Sequence, residues 1–175
     1  MHLTVPRLGD DEIELRPPVP GDVDAITEAC QDPEIPRWTR VPSPYTRAHA
    51  IEFVERSART WEQGTDAPFV IVDAETGAVL GAIGVHRFGG EDGGPEVGYW
   101  LEREARGRGL ATRALRLVAG WACGDLGVRL LLQADVHNAA SRRVAEKARF
   151  RYVGDAKAPA GCGDCEAVAV YELSP

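Results

Sequence analysis

The amino-acid sequence predicts a single α/β domain built on a mixed β-sheet. Its 175 residues suffice for one hydrophobic core of ordinary size without disulfides or metal. Hydrophobic residues make up 44% of the chain and charged residues 27%, as in typical globular proteins. Segments with the two-residue period of strands alternate with segments of helical period along the chain. We therefore expect one mixed domain over residues 1–175.

The first strand and the helices that follow it are defined by apolar spacing and by prolines. Residues Ile13–Arg16 alternate as a strand does, and three prolines stop this strand before a short helix near Gly21. A proline-rich loop is expected from residue 32 to residue 45. Thr46 would then cap a helix. The apolar face predicted for this helix consists of Ile51, Val54, Ala58 and Trp61.

A β-hairpin and one further strand are predicted in the middle of the chain. Residues 69–73 and 78–86 are apolar runs on either side of a short turn that contains glycine. A glycine-rich loop at residues 89–94 leads to a strand at 96–101. Gly98 within that strand indicates a β-bulge.

A long helix and a buried strand are predicted next. Apolar residues recur at helical spacing from Gly109 to about Gly127, where glycine favours the end of a helix. Residues 128–136 are nearly all apolar, which is typical of a strand covered on both faces. Because a helix joins this strand to strand 96–101, the two strands should be parallel neighbours.

One helix and two strands complete the predicted fold. Asn138 is placed to cap a helix at residues 139–150. Residues 152–153 and 167–171 have the composition of closing strands. The sheet is thus expected to contain both parallel and antiparallel strands.

Charge is distributed unevenly along the chain. The net charge of −7 argues against general binding of nucleic acids. Residues 10–34 hold nine acidic side chains against Arg16 alone, whereas residues 103–116 hold five arginines and residues 142–151 hold five more basic side chains. Such basic clusters fit either solvated helix faces or the binding of a polyanionic small ligand, and both interpretations stay open.

Hydropathy and cysteine content indicate where the protein resides. No segment approaches the roughly 18 apolar residues of a membrane span, and residues 1–7 lack the apolar middle of a signal peptide. We therefore expect a cytoplasmic protein with no membrane partner and with reduced thiols. Cys162 and Cys165 form the one Cys-x-x-Cys pair of the sequence, so a loop near a hairpin is favoured over a metal site.

The segment at residues 106–112 has the composition of an anion site. A strand, a glycine-rich turn and a helix follow one another here, and the first amides of a helix have no partner within the helix. Gly107 and Gly109 lack the side chains that would keep a diphosphate away from the backbone. Arg103, Arg106 and Arg108 add positive charge near the positive end of the helix dipole.

Two nucleotide-binding motifs are excluded at this segment. The dinucleotide fingerprint G-x-G-x-x-G requires glycine or alanine where Thr112 stands. A P-loop requires Gly-Lys followed by Ser or Thr, but Lys147 and Lys157 are the two lysines of the chain. The segment therefore predicts a phosphate site of another kind.

Residues 106–111 resemble the acetyl-coenzyme A motif of the GNAT superfamily of N-acetyltransferases, (Arg/Gln)-x-x-Gly-x-(Gly/Ala), at every fixed position. Residues 96–101 and 136–147 look like the RimJ/RimL-like branch, which contains the ribosomal-protein N-α-acetyltransferases, and residues 33–39 and 44–46 look like its N-terminal part. The resemblance implies a central mixed, mostly antiparallel twisted sheet flanked by about four helices. It also implies transfer of acetyl from acetyl-coenzyme A to a primary amine by direct attack on the thioester.

The resemblance further implies which residues contact the coenzyme. Backbone amides of the motif would hold the pyrophosphate, the pantetheine would run along strand residues 99–101, and Asn138 would hydrogen-bond the pantetheine arm as well as cap its helix. Arg142 or Arg143 would reach the nucleotide phosphates. The complete predicted set is Tyr99, Trp100, Leu101, Arg106, Gly107, Arg108, Gly109, Leu110, Ala111, Thr112, Asn138 and Ser141.

The sequence departs from the family pattern at two positions. Ala145 stands where many GNAT enzymes have the tyrosine that protonates the leaving thiolate, and Arg149 stands where a glycine is usual. In the branch named above a serine replaces that tyrosine, so Ser141 is the predicted general acid. Its alternative is an exposed helix serine, and Arg149 has no explanation from the sequence.

The general base is predicted to be Glu96, acting through water. An exposed strand glutamate is the alternative, and His86 and His137 stay open as bases. Deprotonation at pH 7 costs roughly 4 to 5 kcal/mol for a lysine-like amine but only about 1 kcal/mol for an α-amine, so a modest base suffices for an N-terminus. Cys123 lies in a helical pattern, which gives no support to an acetyl-cysteine route.

The acceptor site is predicted from one aromatic residue. Trp38 lies in the proline-rich loop and not on a periodic face, whereas Tyr45 and Trp61 are as well explained by core packing. The acidic first third of the chain would attract a cationic amine. The acceptor is either a protein N-terminal α-amine or a small amine, with a non-catalytic acyl-coenzyme A-binding protein as the alternative function. A homodimer is an open possibility, and neither a metal nor a nucleic-acid partner is expected.

Overall fold

The computed structural model describes residues 3–89, 94–159 and 165–175, and these form one mixed α/β sheet structure. Its strands are β1 (Leu8–Gly9), β2 (Ile13–Arg16), β3 (Ala67–Asp73), β4 (Val79–His86), β5 (Glu96–Leu101), β6 (Leu130–Asp135), β7 (Arg151–Lys157) and β8 (Ala167–Leu173). Its α-helices are α1 (Val23–Ala29), α2 (Glu34–Trp38), α3 (Arg47–Gln63), α4 (Leu110–Ala119) and α5 (Ala139–Lys147).

The strands lie in the order β1-β2-β3-β4-β5-β6-β8-β7. The neighbours β5 and β6 are parallel, as expected for two strands joined by a helix, and the other neighbouring pairs in the described part of the chain are antiparallel. The predicted mixed and mostly antiparallel sheet is therefore confirmed. The described helices exceed the predicted number of about four by one.

The extra helix is α2, which lies inside the segment predicted as a loop. Pro33 occupies the N-cap position, and the amide of Ile35 donates to the carbonyl of Asp32 at 3.1 Å. Proline is compatible with the first turn of a helix because its missing N–H has no helical partner there. Trp38 is therefore the last residue of a short helix and not a loop residue.

The buried face of α3 also differs from the prediction. Thr46 caps this helix as expected, and its side chain accepts from the His49 amide. Ile51 is 38% exposed and Ala58 is exposed, so their predicted place on the buried face is wrong. The buried face includes a polar residue, Ser57, which the apolar spacing does not reveal. Its hydroxyl can be buried because it donates to the carbonyl of Phe53 at 2.7 Å. The residues buried along α3 are Ala50, Val54, Ser57 and Trp61.

The core lies on both faces of the sheet, and β3 contributes to both. Phe69 and Ile71 belong to the larger cluster with α4, whereas Val70 and Val72 belong to a second cluster with α1 and α3. The alternation follows the two-residue period of a strand. Since each of these β3 residues is at most 3% exposed, β3 is the central buried strand of the fold.

Two predicted details of the strands are wrong. The register between β4 and β5 runs without a shift through Gly98, which pairs with Gly84, so no bulge interrupts this ladder. Strand β6 alternates between buried residues, such as Leu132, and half-buried residues, such as Gln133. One face of β6 thus packs in the core, while the other contributes to the wall of an open cavity.

The strands β5 and β6 separate soon after they meet. Glu96 and Leu131 form the one paired position between these strands in the described residues, supported by a 2.9 Å hydrogen bond from the Leu131 amide to the Pro95 carbonyl. Helix α4 begins beyond the far end of β5 and leads back to β6 through a π-helical turn at Gly120–Asp125. The chain leaves this helical segment at Gly127, with a positive φ of 65°, as the sequence predicted.

The last predicted helix is shorter than expected. Helix α5 ends at Lys147, and Arg149 follows in the left-handed region with a φ of 68°. Left-handed backbone favours glycine because a Cβ approaches the carbonyl oxygen. Glycine would adopt this conformation without steric cost, whereas this chain has arginine here.

Three further expectations concern loops and the membrane. Most of the glycine-rich loop, residues 90–93, lies outside the described residues. The same holds for Cys162 of the Cys-x-x-Cys pair, whereas the thiol of Cys165 lies 3.3 Å from the carbonyl of Ala167. No helix in the described ranges has both the length and the hydropathy needed to cross a bilayer.

Candidate active site

A cavity of about 1020 Å³ opens where β5 and β6 separate. Its wall includes residues of β4, β5, β6, α3 and α5, the turn before α4 and the segment between α2 and α3. We call the part formed by residues 106, 107 and 109–112 the turn end. The part formed by Arg40, Arg87 and Glu96 is called the ion-pair end. A continuous cavity that joins two chemically different ends suits a reaction between two substrates.

The turn end has the backbone geometry of an anion site. Gly107 and Gly109 have φ angles of 74° and 78°, which glycine adopts without steric cost. Gly109 is the N-cap of α4, and its carbonyl accepts from the Arg113 amide at 3.1 Å. The amides before Arg113 thus lack intrahelical partners and lie at the positive end of the helix dipole. This arrangement can receive phosphate oxygens.

Arg106 anchors the turn to the end of β5. Its Nε and Nη2 atoms donate to the carbonyl of Leu101 at 3.1 and 2.9 Å, and its Nη1 atom lies 2.9 Å from Oδ2 of Asp32. These contacts engage the guanidinium with the protein itself. Arg108 is exposed and does not belong to the cavity wall formed by the described residues. The motif therefore offers its backbone to an anion more directly than its arginine side chains.

Asp32 connects this anchor to the loop between α1 and α2. Oδ1 of Asp32 accepts from Nη2 of Arg103 at 3.2 Å. Hydrogen bonding by Arg103, followed by the Glu34 amide and the charge of Arg106, lowers the pKa of Asp32 to about 2. The carboxylate therefore stays ionised at neutral pH and keeps the two guanidiniums together.

Two hydroxyl groups meet between the two ends of the cavity. The Tyr99 and Ser141 hydroxyls are 3.0 Å apart, and both residues line the cavity. Asn138 fixes the start of α5, because its Oδ1 atom accepts from the Ser141 amide at 3.1 Å. Burial raises the pKa of Tyr99, although the hydrogen bond from Ser141 opposes this effect. The phenol is thus held in its protonated form beside Ser141.

At the ion-pair end, one carboxylate lies between two arginines. The Glu96 side chain is 13% exposed and contacts Arg87 through Oε2. Its Oε1 atom lies 3.5 Å from Nη2 of Arg40. Neither arginine was expected here from the sequence, because Arg40 lies 56 positions away from Glu96 and Arg87 nine positions away.

His86 lies beside Glu96 on the neighbouring strand. The two residues are cross-strand partners, and Nδ1 of His86 lies 3.3 Å from Oδ1 of Asp66. Hydrogen bonding by His86, the largest effect, and by the Arg87 amide lowers the pKa of Asp66 against the opposing effect of burial. Asp66 can therefore orient the imidazole, which also lines the cavity.

The aromatic residue predicted for the acceptor site, Trp38, and the two considered beside it, Tyr45 and Trp61, separate into two groups. Trp38 and Tyr45 line the cavity, and Nε1 of Trp38 donates to Glu34 at 3.1 Å. Burial raises the pKa of Tyr45 to about 12. Trp61 belongs to the core instead, where its Nε1 atom donates to the carbonyl of Pro68 at 2.9 Å.

The acidic first third of the chain is largely neutralised. Seven of the nine carboxylates at residues 10–34 contact arginines in the described structure, so little of their charge remains to attract a cationic amine. These carboxylates belong to Asp10, Asp11 and Glu12 with Arg113, Asp22 with Arg16, Asp24 with Arg47, Asp32 with Arg103 and Arg106, and Glu34 with Arg37.

Three residues considered from the sequence lie outside the cavity wall formed by the described residues. His137 is exposed, and Cys123 is buried with its thiol 3.7 Å from the carbonyl of Leu173. Arg142 donates to the Tyr171 hydroxyl at 3.2 Å and to a backbone carbonyl, whereas Arg143 lines the cavity. Arg143 is therefore the better placed of the two arginines for a ligand phosphate.

Known proteins resemble this chain in sequence and in fold. The sequence model of the acetyltransferase (GNAT) domain matches residues 12–151. An uncharacterized N-acetyltransferase p20 from Bacillus licheniformis is 24% identical over 135 residues, which cover 76% of this chain and 75% of that protein.

Two solved structures show the same fold at low sequence identity. RimL, named as a ribosomal L7/L12 α-N-protein acetyltransferase in complex with coenzyme A, superposes with a TM-score of 0.83 at 20% identity, over 94% of this chain and 95% of that one. The Microcin C7 self-immunity acetyltransferase MccE, in complex with acetyl-CoA and AMP, gives a TM-score of 0.84 at 20% identity, over 95% and 94%. With its fold, its glycine turn and a domain match that spans most of its length, the chain belongs to the GNAT family of N-acetyltransferases.

Proposed function

We propose that this protein transfers acetyl from acetyl-coenzyme A to a primary amine by direct attack of the amine on the thioester. The observation that carries the proposal is the single continuous cavity. It joins the glycine turn before α4, the Tyr99 and Ser141 hydroxyls, and the carboxylate of Glu96. A phosphate site, a proton donor and a proton acceptor thus share one cavity.

The residues of the turn end fit the coenzyme. The positive φ angles of Gly107 and Gly109 and the free first amides of α4 suit a pyrophosphate. Strand residues 99–101 would lie along the pantetheine, and Asn138 would donate from its amide nitrogen, since its oxygen already accepts from Ser141. Bound there, acetyl-coenzyme A supplies an activated acetyl thioester. We assign Arg106 to anchoring the turn.

Ser141 is the proposed general acid. Its hydroxyl would give a proton to the departing sulfur, and the Tyr99 phenol would restore that proton across their 3.0 Å contact. The high pKa that burial gives to Tyr99 keeps this phenol protonated. Ala145 is fully buried in the core, so no side chain at that position contributes an acid.

Glu96 is the proposed general base. It lies in the cavity wall and can take a proton from the incoming ammonium, directly or through water, once its own contacts with arginine rearrange. His86 is a second candidate base, favoured by its contact with Asp66 and by its place beside Glu96. For an acceptor with an α-amine, deprotonation at pH 7 costs only about 1 kcal/mol, which either group can provide.

The names of two similar structures support two classes of acceptor. RimL is named as an enzyme acting on a ribosomal protein, and the MccE structure is named as a complex with acetyl-CoA and AMP. Both a protein N-terminal α-amine and a small amine therefore stay within the proposal. We call the part of the cavity wall that contains Trp38 and Tyr45 the acceptor part of the cavity, since the acceptor would bind there.

The test is the release of free thiol from acetyl-coenzyme A in the presence of peptides with free N-termini, amino acids, polyamines and aminoglycosides. We expect thiol release with one of these classes, together with the acetylated acceptor in mass spectrometry. Tight binding of acetyl-coenzyme A without thiol release for any acceptor would contradict the enzyme and support an acyl-coenzyme A-binding protein.

A further inference from the structure

The ion-pair end of the cavity carries more positive than negative charge. We propose that the acceptor amine carries a carboxylate close to it, and that Arg40 and Arg87 bind this carboxylate. The inference rests on the proposed acetyl transfer and narrows its acceptor to a class. An α-amino acid and a peptide with an acidic second residue share the required chemistry.

The charges around Glu96 favour such an acceptor over a simple cation. Two guanidiniums contact the Glu96 carboxylate, which leaves one excess positive charge in this group of three side chains, whereas the nearby Asp66 carboxylate is engaged by His86 and by the Arg87 amide. On α3, Glu52 and Arg56 also line the cavity, but they carry opposite charges. A polyamine would meet unfavourable charge here. An acceptor that brings its own carboxylate compensates the excess and presents its ammonium to Glu96.

Arg87 is held in place by an unusual backbone conformation. Its φ of 64° lies in the left-handed region, which is sterically costly for a residue with a side chain. The Arg87 amide donates to Oδ1 of Asp66 at 3.1 Å, which supports this conformation. Strained conformations persist where the surrounding structure imposes them, and they cluster at functional sites. The main chain is thereby fixed at the point from which the Arg87 side chain reaches Glu96.

Arg40 has the opposite character and is free to exchange partners. Its side chain is 54% exposed, and its contact with Glu96 is long for a charged hydrogen bond, at 3.5 Å. A guanidinium has five N–H donors in a planar fork that fits a carboxylate in a bidentate way. Arg40 also lies two residues after Trp38, on the segment that lines the acceptor part of the cavity.

The two arginines and Glu96 would then act in sequence. The carboxylate of the acceptor replaces Glu96 as the partner of Arg40 and also contacts Arg87, and Oε1 of Glu96 becomes free. The ammonium of the acceptor lies between two carboxylates, and its proton passes to Glu96 before the neutral amine attacks. The acceptor's carboxylate thus both selects the substrate and releases the base.

The experiment compares acceptors that carry this charge with counterparts that lack it, at a pH where the amines of both members are matched in ionisation. The kcat/KM for thiol release is measured for L-amino acids against their C-terminal amides, and for N-terminal peptides with Asp against Asn at the second position. We expect at least a tenfold preference for the charged member in one of the two series, and that series identifies the source of the carboxylate. Equal rates, or faster reaction of the uncharged members, in both series would overturn the inference while the acetyltransferase stands.

Variants connect the preference to the arginines. Arg40→Ala and Arg87→Ala should each bring the preference to within twofold, and Arg40→Lys should restore part of it. The control is Arg47→Ala, because Arg47 is an exposed arginine paired with Asp24 at 3.0 Å outside the cavity wall formed by the described residues. A preference that persists in Arg40→Ala, which changes an exposed side chain and should fold, would overturn the role of that residue. Failure of every acceptor in both series to release thiol would refute the inference and the proposed function together.

Discussion

The hydroxyl of Tyr99 lies 3.0 Å from the hydroxyl of Ser141 in the cavity between β5 and α5. The two residues are 42 positions apart in the sequence. They meet because β5, which carries Tyr99, faces the first turn of α5, which carries Ser141. From the sequence, Tyr99 was predicted only to contact the coenzyme. Its phenol instead gives Ser141 a neighbour that can supply or accept a proton.

This pair predicts unequal effects of two substitutions. Ser141→Ala should lower kcat by roughly 100-fold, because a positioned proton donor contributes about that much, and Tyr99→Phe should lower it by about tenfold. The dissociation constant of coenzyme A should change little in both variants. Tyr152→Phe is the control, since Tyr152 is exposed and pairs with Asp155. Unchanged kcat in both Ser141→Ala and Tyr99→Phe would reduce the pair to a packing contact.

The choice between Glu96 and His86 as base is also decided by kinetics. Glu96→Gln keeps the size of the side chain and removes its basicity, so we expect kcat to fall by about 100-fold with little change in KM for acetyl-coenzyme A. His86→Ala should lower kcat by less than about threefold if Glu96 is the base. The reverse order of the two effects, measured as initial rates against pH, would transfer the role to His86 and its partner Asp66.

The low pKa of Asp32 predicts a dependence of stability on acid. The folded-state pKa is about 2, below the ordinary value of 3.8, so the ionised carboxylate stabilises the fold above about pH 4. That contribution is lost as the pH falls through 2. The difference in unfolding free energy between the wild type and Asp32→Asn should therefore shrink between pH 4 and pH 2, measured by urea denaturation at each pH. A constant difference would mean that the contacts of Asp32 with Arg103 and Arg106 do not depend on its charge.

The left-handed conformation of Arg149 predicts a stabilising substitution. Arg149→Gly should raise the unfolding free energy by about 0.5 to 1 kcal/mol, because glycine relieves the steric cost and loses only part of this gain through greater freedom in the unfolded chain. The change corresponds to a rise in Tm of roughly 1 to 4 °C. Arg59→Gly, inside α3, is the matched control and should destabilise by about 1 kcal/mol. A lower Tm for Arg149→Gly would indicate that the arginine side chain makes a compensating contact.

The sequence was informative wherever local chemistry determines structure. The cap at Thr46, the turn at Gly107 and Gly109 and the cap at Asn138 all depend on a few neighbouring residues, and each has the predicted geometry. Local patterns are reliable there because the hydrogen bonds join residues two to four positions apart. Strand β5 was predicted for the same reason, since its period and its flanking loop are local.

The ion-pair end could not be predicted in this way. Arg40, Arg87 and Glu96 come together only because β4 pairs with β5 and the segment after α2 folds over the sheet. The spacing of these three residues in the sequence does not predict that they lie close together. The prediction of the buried face of α3 was wrong for another reason. Ser57 is polar, so the sequence does not show that it is buried, but its hydroxyl hydrogen-bonds to the helix backbone.

Within the described residues β5 and β6 share one paired position, and this gives the sheet an edge in its interior. Exposed edges of sheets attract other strands and promote aggregation, but this one opens into a cavity between helices. A ligand that contains amide groups can pair with such an edge as an additional strand would, without help from any particular side chain. Recognition of the coenzyme would then tolerate sequence change along β5, and evolution could alter the loop that carries Trp38 and Arg40 to accept new amines while the donor site stays the same.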